Sequence, residues 1–280
     1  MTSIEAMPAV GAPVRGRRRP VQATGVLVLV VVLVALMLAS VTVGSRDVAW
    51  SDVVAALGGS TEGFDQAAVA KRIPRTWLAV LAGAALAVSG AVMQGVTRNP
   101  LADPGVLGVN TGASLAVVAG IAFFGLSTAT SFIWVAIIGA GITAVLVYAV
   151  GSLGRGGATP LKLALAGAAT SAAGLGERVA VARGAAALGA VVLCGAATAV
   201  TGPIGFVGLV VPHACRLLVG VDHRRLLPCS ALAGAALLTA ADVLGRIVAR
   251  PAEVDVGIIT ALIGAPFFIH IVRRQKVRAL

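Results

Sequence analysis

Long apolar runs separated by short polar connections dominate this chain. Charge-free runs occupy residues 26–43, 76–97, 105–154, 184–212, 226–241 and 256–271. Because a membrane-spanning helix needs about 20 apolar residues, the run over residues 105–154 must hold two spans, with a turn near residues 125–128. The pattern predicts about eight spans in total, some of them short.

Composition places the chain among membrane proteins. Of its 280 residues, 58% are hydrophobic and 12% are charged, whereas soluble domains carry about 25% charged residues. We therefore expect an all-α polytopic membrane protein, with a basic cytoplasmic tail over residues 1–25 and one transmembrane domain over residues 26–280. The first run could also belong to a secretory signal, but no small-residue cleavage site with a mature soluble domain follows it. A retained first helix is expected.

The charges between the runs predict which side of the membrane each connection occupies. The net charge of +11 would suggest nucleic acid in a soluble protein. Here the basic residues cluster between spans, as the positive-inside rule requires, and one Tyr without aromatic–basic repeats argues against a nucleic-acid partner. The rule places both termini in the cytoplasm of a multi-pass cell-membrane protein. One stretch breaks it, because "KRIPR" (71–75) falls on the predicted outer side.

Few residues have the spacing of a metal or catalytic site. The three cysteines show no metal spacing and are expected to be small core residues. His213, directly after Pro212, is expected to cap or pack a helix end, so no metal site is predicted. The chain has no Gly-Lys-Ser/Thr phosphate loop. It is therefore not expected to be an enzyme or to bind a cofactor, and any ATP hydrolysis must come from a partner.

Helix-breaking and polar residues concentrate in "RNPLADPG" (98–105). Pro100 and Pro104 can end helices, and Asn99 and Asp103 can cap helix ends through their side-chain oxygens. Gly108 and the glycines around it allow close helix packing. The stretch is interpreted as an architectural break between spans, with direct substrate contact as the alternative.

An octapeptide occurs twice in similar form, as "GAALAVSG" (83–90) and "GAATAVTG" (195–202). Such small-residue faces are common in membrane helices, because they let backbones approach closely. The charge topology, however, predicts that the two copies run in opposite directions. Paired segments of opposite direction are typical of transporters built from inverted repeats.

Three long segments resemble the FecCD-type permeases of ABC importers for iron–siderophore complexes, haem and vitamin B12. They are "RIPRTWLAVLAGAALAVSGAVMQGVTRNPLADPGVLGVNTGA" (72–113), "GPIGFVGLVVPHACRLLVGVDHRRLLPCSALAGAALLTAADVLGR" (202–246) and "VGIITALIGAPFFIHIVRR" (256–274). The resemblance implies a permease fold normally of ten helices with inverted repeats. It also implies a paired permease chain or homodimer, an ATP-binding subunit that uses ATP and Mg, and an extracytoplasmic substrate-binding (lipo)protein, all in a lipid membrane.

The resemblance also assigns roles to residues of this sequence. Outer arginines of relatives meet glutamates of the binding protein, and the matching residues are Arg72, Arg75 and Arg246. Snorkelling to lipid phosphates is the alternative for these arginines, and an ion pair with Asp242, four residues earlier, is an alternative for Arg246. Coupling to the ATPase matches "LGERVAVARG", with Leu175, Gly176, Glu177, Arg178, Ala180 and Gly184. The architectural and pathway positions are Gln94, Asn99, Pro100, Asp103, Pro104, Gly108, Pro212, His213 and Asp242.

The chain is shorter than typical family members by about two spans. "LKLALAGAATSA" (161–172) resembles the start of the family's fifth helix but runs almost directly into "LGERVA", which places a deletion near residues 172–175. The expected function is a permease subunit that imports an iron chelate or macrocycle by alternating access. The alternative is an internally truncated, transport-inactive paralogue that still dimerises or binds the ATPase. A proton-coupled carrier is disfavoured, since Asp242 is its only candidate buried carboxylate.

Overall fold

The computed structural model of the chain describes residues 18–44, 48–105, 108–153, 178–250 and 252–277. Within these ranges every regular element is an α-helix, which agrees with the predicted fold class. The helices are α1 (Arg18–Thr42), α2 (Trp50–Leu57), α3 (Phe64–Thr97), α4 (Val109–Phe124), α5 (Ala129–Leu153), α6 (Arg178–Thr201), α7 (Val207–Val219), α8 (His223–Val248) and α9 (Val256–Val277).

The described residues contain eight apolar helices, but fewer of them than the roughly eight predicted spans are long enough to cross a membrane. In the described part of the chain, five helices are long and apolar enough to cross a membrane, and three shorter apolar helices cover 109–124, 207–219 and 256–271. The predicted turn at residues 125–128 is confirmed, because α4 ends at Phe124 and α5 begins at Ala129. Gly125 ends α4 in the left-handed conformation, with φ 61°, which glycine adopts without strain.

Two helix boundaries differ from the prediction. Helix α1 begins at Arg18, inside the predicted basic tail, and α3 begins at Phe64, so that "KRIPR" is helical and not a connection. The early start of α3 has a packing reason. The short helix α2, which lies in the predicted outer loop, buries Val53 and Ala56 in a small apolar cluster with Val69 of α3.

Helices α3 and α8 pack antiparallel at the centre of the bundle. Arg75 near the start of α3 pairs with Asp242 near the end of α8 at 2.8 Å. Midway, a side chain on either Gly83 or Gly234 would overlap the backbone of the other, so the two helices touch directly. The opposite ends of both helices meet where Gly95 lies against the ring of His223.

Helix α7 begins in the middle of the bundle. Gly208, in its first turn, lies against the backbone of Gly90 on α3. At about 1.5 Å of rise per residue, Gly90 is roughly 22 Å along α3 from Arg75. Of the irregular residues 202–206 between α6 and α7, Ile204 is buried, Pro203 is exposed and the others are partly buried, so this connection runs from the surface into the protein. Discontinuous helices of this kind are tolerated in membranes where neighbouring protein covers the backbone.

Helices α5 and α6 pack directly against each other, although residues 154–177 between them lie outside the described part of the chain. Ala136 and Ala140 of α5 are completely buried, and Gly195 of α6 lies against Ala140. On the other face of α5, Gly112 of α4 lies against the carbonyl of Gly139. The predicted glycine packing of the helix that follows the proline-rich break is confirmed.

Candidate functional site

Five charged side chains meet at one end of the bundle: Arg72, Arg75, Asp242, Arg246 and Glu253. We call this group the arginine cluster. They come from the first half of α3, the last turns of α8 and the connection between α8 and α9. The last turn of α1 completes the cluster through its backbone carbonyls.

Arg246 is buried inside the cluster. Only 2% of its side chain is exposed, and its guanidinium pairs with Asp242 one turn earlier on α8. It also donates to the carbonyl of Ser40 at 2.8 Å and to the hydroxyl of Ser40 at 2.6 Å. The expectation of a surface arginine at this position is therefore wrong, and the ion pair with Asp242 is confirmed. Five donors on a planar group allow one arginine to serve all three acceptors.

Arg72 also binds the end of α1. Its guanidinium donates to the carbonyl of Thr42 at 3.0 Å and to that of Val41 at 3.3 Å, and Gly44 lies against it. The last carbonyls of a helix have no partner within the helix and carry partial negative charge. Arg72 and Arg246 thus satisfy the carbonyl end of α1. The residue Arg72 is 8% exposed, so the expected outward position is wrong for it too.

Arg75 differs from these two arginines because it reaches the surface. Its side chain is 41% exposed. Nε and one terminal nitrogen donate to the same Asp242 oxygen at 2.9 and 2.8 Å. The other terminal nitrogen pairs with the Glu253 carboxylate at 2.6 Å, and Glu253 is 38% exposed. Asp242 is therefore a buried carboxylate shared by two arginines, so it is already paired and a poor candidate for proton transport.

A cavity of about 410 Å³ opens beside Arg75. Its polar wall contains Arg75, Asp242 and Glu253, and its apolar wall contains residues of α3, α6 and α8. Thr201 at the end of α6 and Val256 at the start of α9 also line it. Hence α6 ends and α3 begins at the same end of the bundle, so the two octapeptide copies do run in opposite directions, as predicted.

The proline-rich break folds back into the bundle. Asp103 is buried near Gly208 of α7, and Pro104 is fully buried. The Asn99 side chain accepts from the N–H of Leu101 at 3.0 Å, and Asp103 accepts from Gly105 at 2.8 Å. Both side chains therefore close turns and do not cap a helix, which corrects the expectation.

Pro100 lies in one of these turns. The residue before α4 is Gly108, with φ 77°, a conformation that favours glycine. Asp103 and Pro104 are thus buried in this connection, and Asn99, Pro100 and Gly108 are partly buried in it, which fits an architectural break.

A buried polar group links the start of α4 to the last turns of α6 and to the connection that follows α6. Asn110, in the first turn of α4, donates to the carbonyl of Ile204 at 2.8 Å. Its oxygen accepts from Thr198 at 2.9 Å and from the thiol of Cys194 at 3.0 Å. The Asn110 side chain has two N–H donors and two acceptor lone pairs, and apolar neighbours could satisfy none of them. Asn110 is not among the site residues predicted from the sequence, where its only signal is that of a single amide within an apolar run.

Gln94 compensates for the proline in α7. Pro212 has no N–H, which leaves the carbonyl four residues earlier, that of Gly208, without its helical donor. The Gln94 amide of α3 donates to the carbonyls of Gly208 and Leu209, each at 3.3 Å. Arg216 of α7 in turn donates to the Gln94 oxygen at 2.6 Å. His213 packs edge-on against Phe267 of α9, with ring centroids 5.8 Å apart.

The predicted coupling residues fall largely outside the described part of the chain. Leu175, Gly176 and Glu177 are not among the described residues. Arg178 is the first residue of α6, and Ala180 follows in its first turn. Gly184, also in α6, has open space where a side chain would project.

Most of the chain is similar in sequence to one family of membrane transport proteins. The model of the FecCD transport family matches residues 31–173 and 169–274. The ferric enterobactin transport system permease protein FepD of Escherichia coli is 36% identical, over 92% of this chain and 96% of that protein. The iron(3+)-hydroxamate import system permease protein FhuB of Bacillus subtilis is 38% identical, over 73% of this chain and 71% of that protein.

A solved structure shares the fold. A metal-chelate type ABC transporter in an inward-facing conformation superposes with a TM-score of 0.67 at 25% identity. The match covers 90% of this chain and 99% of the other.

Proposed function

Since this chain belongs to the FecCD transport family and is a membrane permease subunit of an ABC importer, we propose that it carries a ferric siderophore complex or a similar chelate or macrocycle into the cell by alternating access. The observation that carries this proposal is the match over most of the chain to permeases named for ferric enterobactin and iron(3+)-hydroxamate. The permease is not an enzyme; a separate subunit hydrolyses ATP. We propose that this chain binds no cofactor of its own.

The arginine cluster is proposed to face the outside and to receive the substrate-binding protein. Within the cluster, Arg75 is the docking residue, because it alone of the three arginines has a substantially exposed side chain. A carboxylate of the binding protein would make a charge-assisted bond to it and guide the approach. Arg72 and Arg246 serve docking indirectly, by fixing α1 beside α3 and α8.

The opposite end of the bundle is proposed to face the cytoplasm and the ATPase, with both chain termini on that side. The segment "LGERVAVARG" (175–184) would contact the ATPase at the start of α6. Replacing Glu177 and Arg178 together by alanine should then abolish the stimulation of ATPase activity by substrate-loaded binding protein, while the complex still assembles. Unchanged stimulation in a purified complex of correct composition would contradict this role.

A second candidate function is a truncated paralogue that assembles but does not transport. Two observations favour a deletion. The family model matches as two segments, which overlap at residues 169–173. The alignment to the enterobactin permease extends over 325 positions, more than the 280 residues of this chain. The direct packing of α5 on α6 also fits a bundle closed across missing helices. On this reading the docking and coupling surfaces persist without the complete pathway.

Reconstitution separates the two functions. The chain is co-expressed with its ATPase and binding protein and placed in liposomes, and ATP-dependent uptake of radioactive ferric siderophore is measured. Uptake above that of a complex with an inactive ATPase supports the importer. A stable complex whose ATPase responds to the binding protein but which moves no iron supports the inactive paralogue.

A further inference from the structure

Two unequal carboxylates hold the Arg75 guanidinium. Asp242 binds it from inside the bundle; it is 3% exposed and is fixed by a second ion pair with Arg246. Glu253 binds it from outside through a single contact of 2.6 Å and is 38% exposed. A surface ion pair of this kind contributes little net free energy, because water solvates both groups when they separate. The inner contact is therefore the better fixed of the two, and the outer one is exchangeable.

The backbone around Glu253 lets only this side chain leave. The next residue, Val254, donates its N–H to the carbonyl of Gly245 at 3.0 Å, which ties the connection to α8. Asp255 accepts from the N–H of Gly257 at 2.6 Å and so caps the start of α9. Glu253 itself is attached to the bundle through Arg75. Separation of this pair would free the Glu253 side chain without unfolding either helix.

The surroundings of Arg75 have room and charge for another carboxylate. The cavity of about 410 Å³ begins beside its guanidinium and has Glu253 in its wall. The cluster contains three guanidinium groups and two carboxylates, and Asp242 already serves two of the arginines. If Glu253 moves away, Arg75 keeps a positively charged edge that faces the surface. A carboxylate from another protein can replace Glu253 there without changing the charge of the cluster.

We infer that Glu253 is an internal competitor of the substrate-binding protein: it occupies Arg75 in the undocked permease, and a carboxylate of the binding protein displaces it on docking. This inference rests on the proposed docking role of Arg75. It adds that docking is an exchange of carboxylates, and that the exchange releases the Glu253 side chain from Arg75 of α3. The partner surface that fits is thus acidic, with a carboxylate that reaches into the cavity.

The test measures the affinity of purified substrate-binding protein for the permease–ATPase complex in nanodiscs, by biolayer interferometry. Without the competitor, binding should tighten: about two- to fivefold for Glu253→Gln, which keeps a weak acceptor, and at least as much for Glu253→Ala. Glu62→Gln is the matched control, because Glu62 is an exposed acid of the α2–α3 connection outside the cluster. It changes the net charge equally and should leave the affinity unchanged.

The variant Arg75→Gln separates this inference from the function on which it rests. If Arg75→Gln weakens binding and both Glu253 variants strengthen it beyond the Glu62 control, the exchange is supported. If Arg75→Gln weakens binding but the Glu253 variants bind no more tightly than the control, the exchange is wrong while docking at Arg75 stands. If Arg75→Gln leaves the affinity unchanged, the proposed docking residue is wrong and the exchange with it.

Discussion

Replacement of Arg246 by methionine tests whether the arginine is a structural part of the bundle. Methionine keeps much of the apolar length of the side chain but none of its donors. The variant loses the ion pair with Asp242 and the bonds to the carbonyl and hydroxyl of Ser40. All of these groups are buried, and the Ser40 carbonyl belongs to the end of α1, which has no further turn to supply a donor.

The size of the loss follows from what stays behind. Removal of one partner from a buried ion pair costs about 3–5 kcal/mol, because the other charge is left uncompensated. Asp242 still pairs with Arg75 at 2.8 Å in the variant, which favours the lower end of that range. The unsatisfied Ser40 carbonyl adds to the loss. A total of about 4 kcal/mol corresponds to a decrease in melting temperature of roughly 8–16 °C for a domain of this size.

The assay is the thermal stability of the detergent-purified chain, followed by fluorescence-detected size-exclusion chromatography after heating. Arg224→Met is the matched control, since Arg224 is an exposed arginine in the first turn of the same helix. Arg246→Lys should fall between wild type and Arg246→Met, because lysine keeps the charge but cannot bind several fixed acceptors at once. If Arg246→Met and Arg224→Met melt at the same temperature, the structural role assigned to Arg246 is refuted.

Three further predictions follow from the packing. Gly90→Ala should reduce the yield of folded protein, because the new methyl group would overlap the backbone of Gly208. The control Gly141→Ala should be tolerated, since a methyl group there meets nothing within 4 Å. Equal yields of the two variants would contradict the direct contact of α3 and α7. Gln94→Leu should destabilise the protein by about 1–3 kcal/mol. Adding Pro212→Ala should recover part of this loss, because residue 212 then has an N–H that can donate to the carbonyl of Gly208. If the effects of the two substitutions simply add in the double variant, the two residues are not coupled. Asn110→Leu should lower the melting temperature more than Ser127→Ala in the exposed α4–α5 turn. Asn110 is 8% exposed and has three hydrogen-bond partners, all of which the leucine variant leaves unpaired. Similar melting temperatures would argue against a structural role of the buried polar group.

The distribution of apolar residues was enough to predict the apolar helices and the turn at residues 125–128, because lipid requires uncharged helices with satisfied backbones. It did not predict that three of these helices are too short to span. It could not predict where α3 begins. The residues from Phe64 to Pro74 include a proline and several charges, and they are helical because α2 packs against Val69. That contact depends on residues from separate segments, so no local pattern reveals it.

For the three arginines too, the sequence indicated some contacts, and only the structure showed the others. The sequence indicated that Arg72 and Arg75 break the expected charge asymmetry, and the family resemblance added Arg246. The spacing of Asp242 and Arg246 suggested their ion pair. The sequence did not show that Ser40 and Thr42, about 30 residues or more away along the chain, provide carbonyl acceptors for two of them. Nor did it show that Glu253 covers the third.

By itself the sequence determined that this chain is a helical membrane protein, because burial in lipid selects composition and run length without regard to which helices meet. It also contained the long segments by which the family is recognised. The tertiary structure alone decided which charges are buried and which are exposed, since that depends on the antiparallel register of α3 and α8 and on the position of α1 beside them. It alone showed that the break at residues 98–105 turns back into the bundle, because only packing against Gly208 makes a buried Asp103 possible.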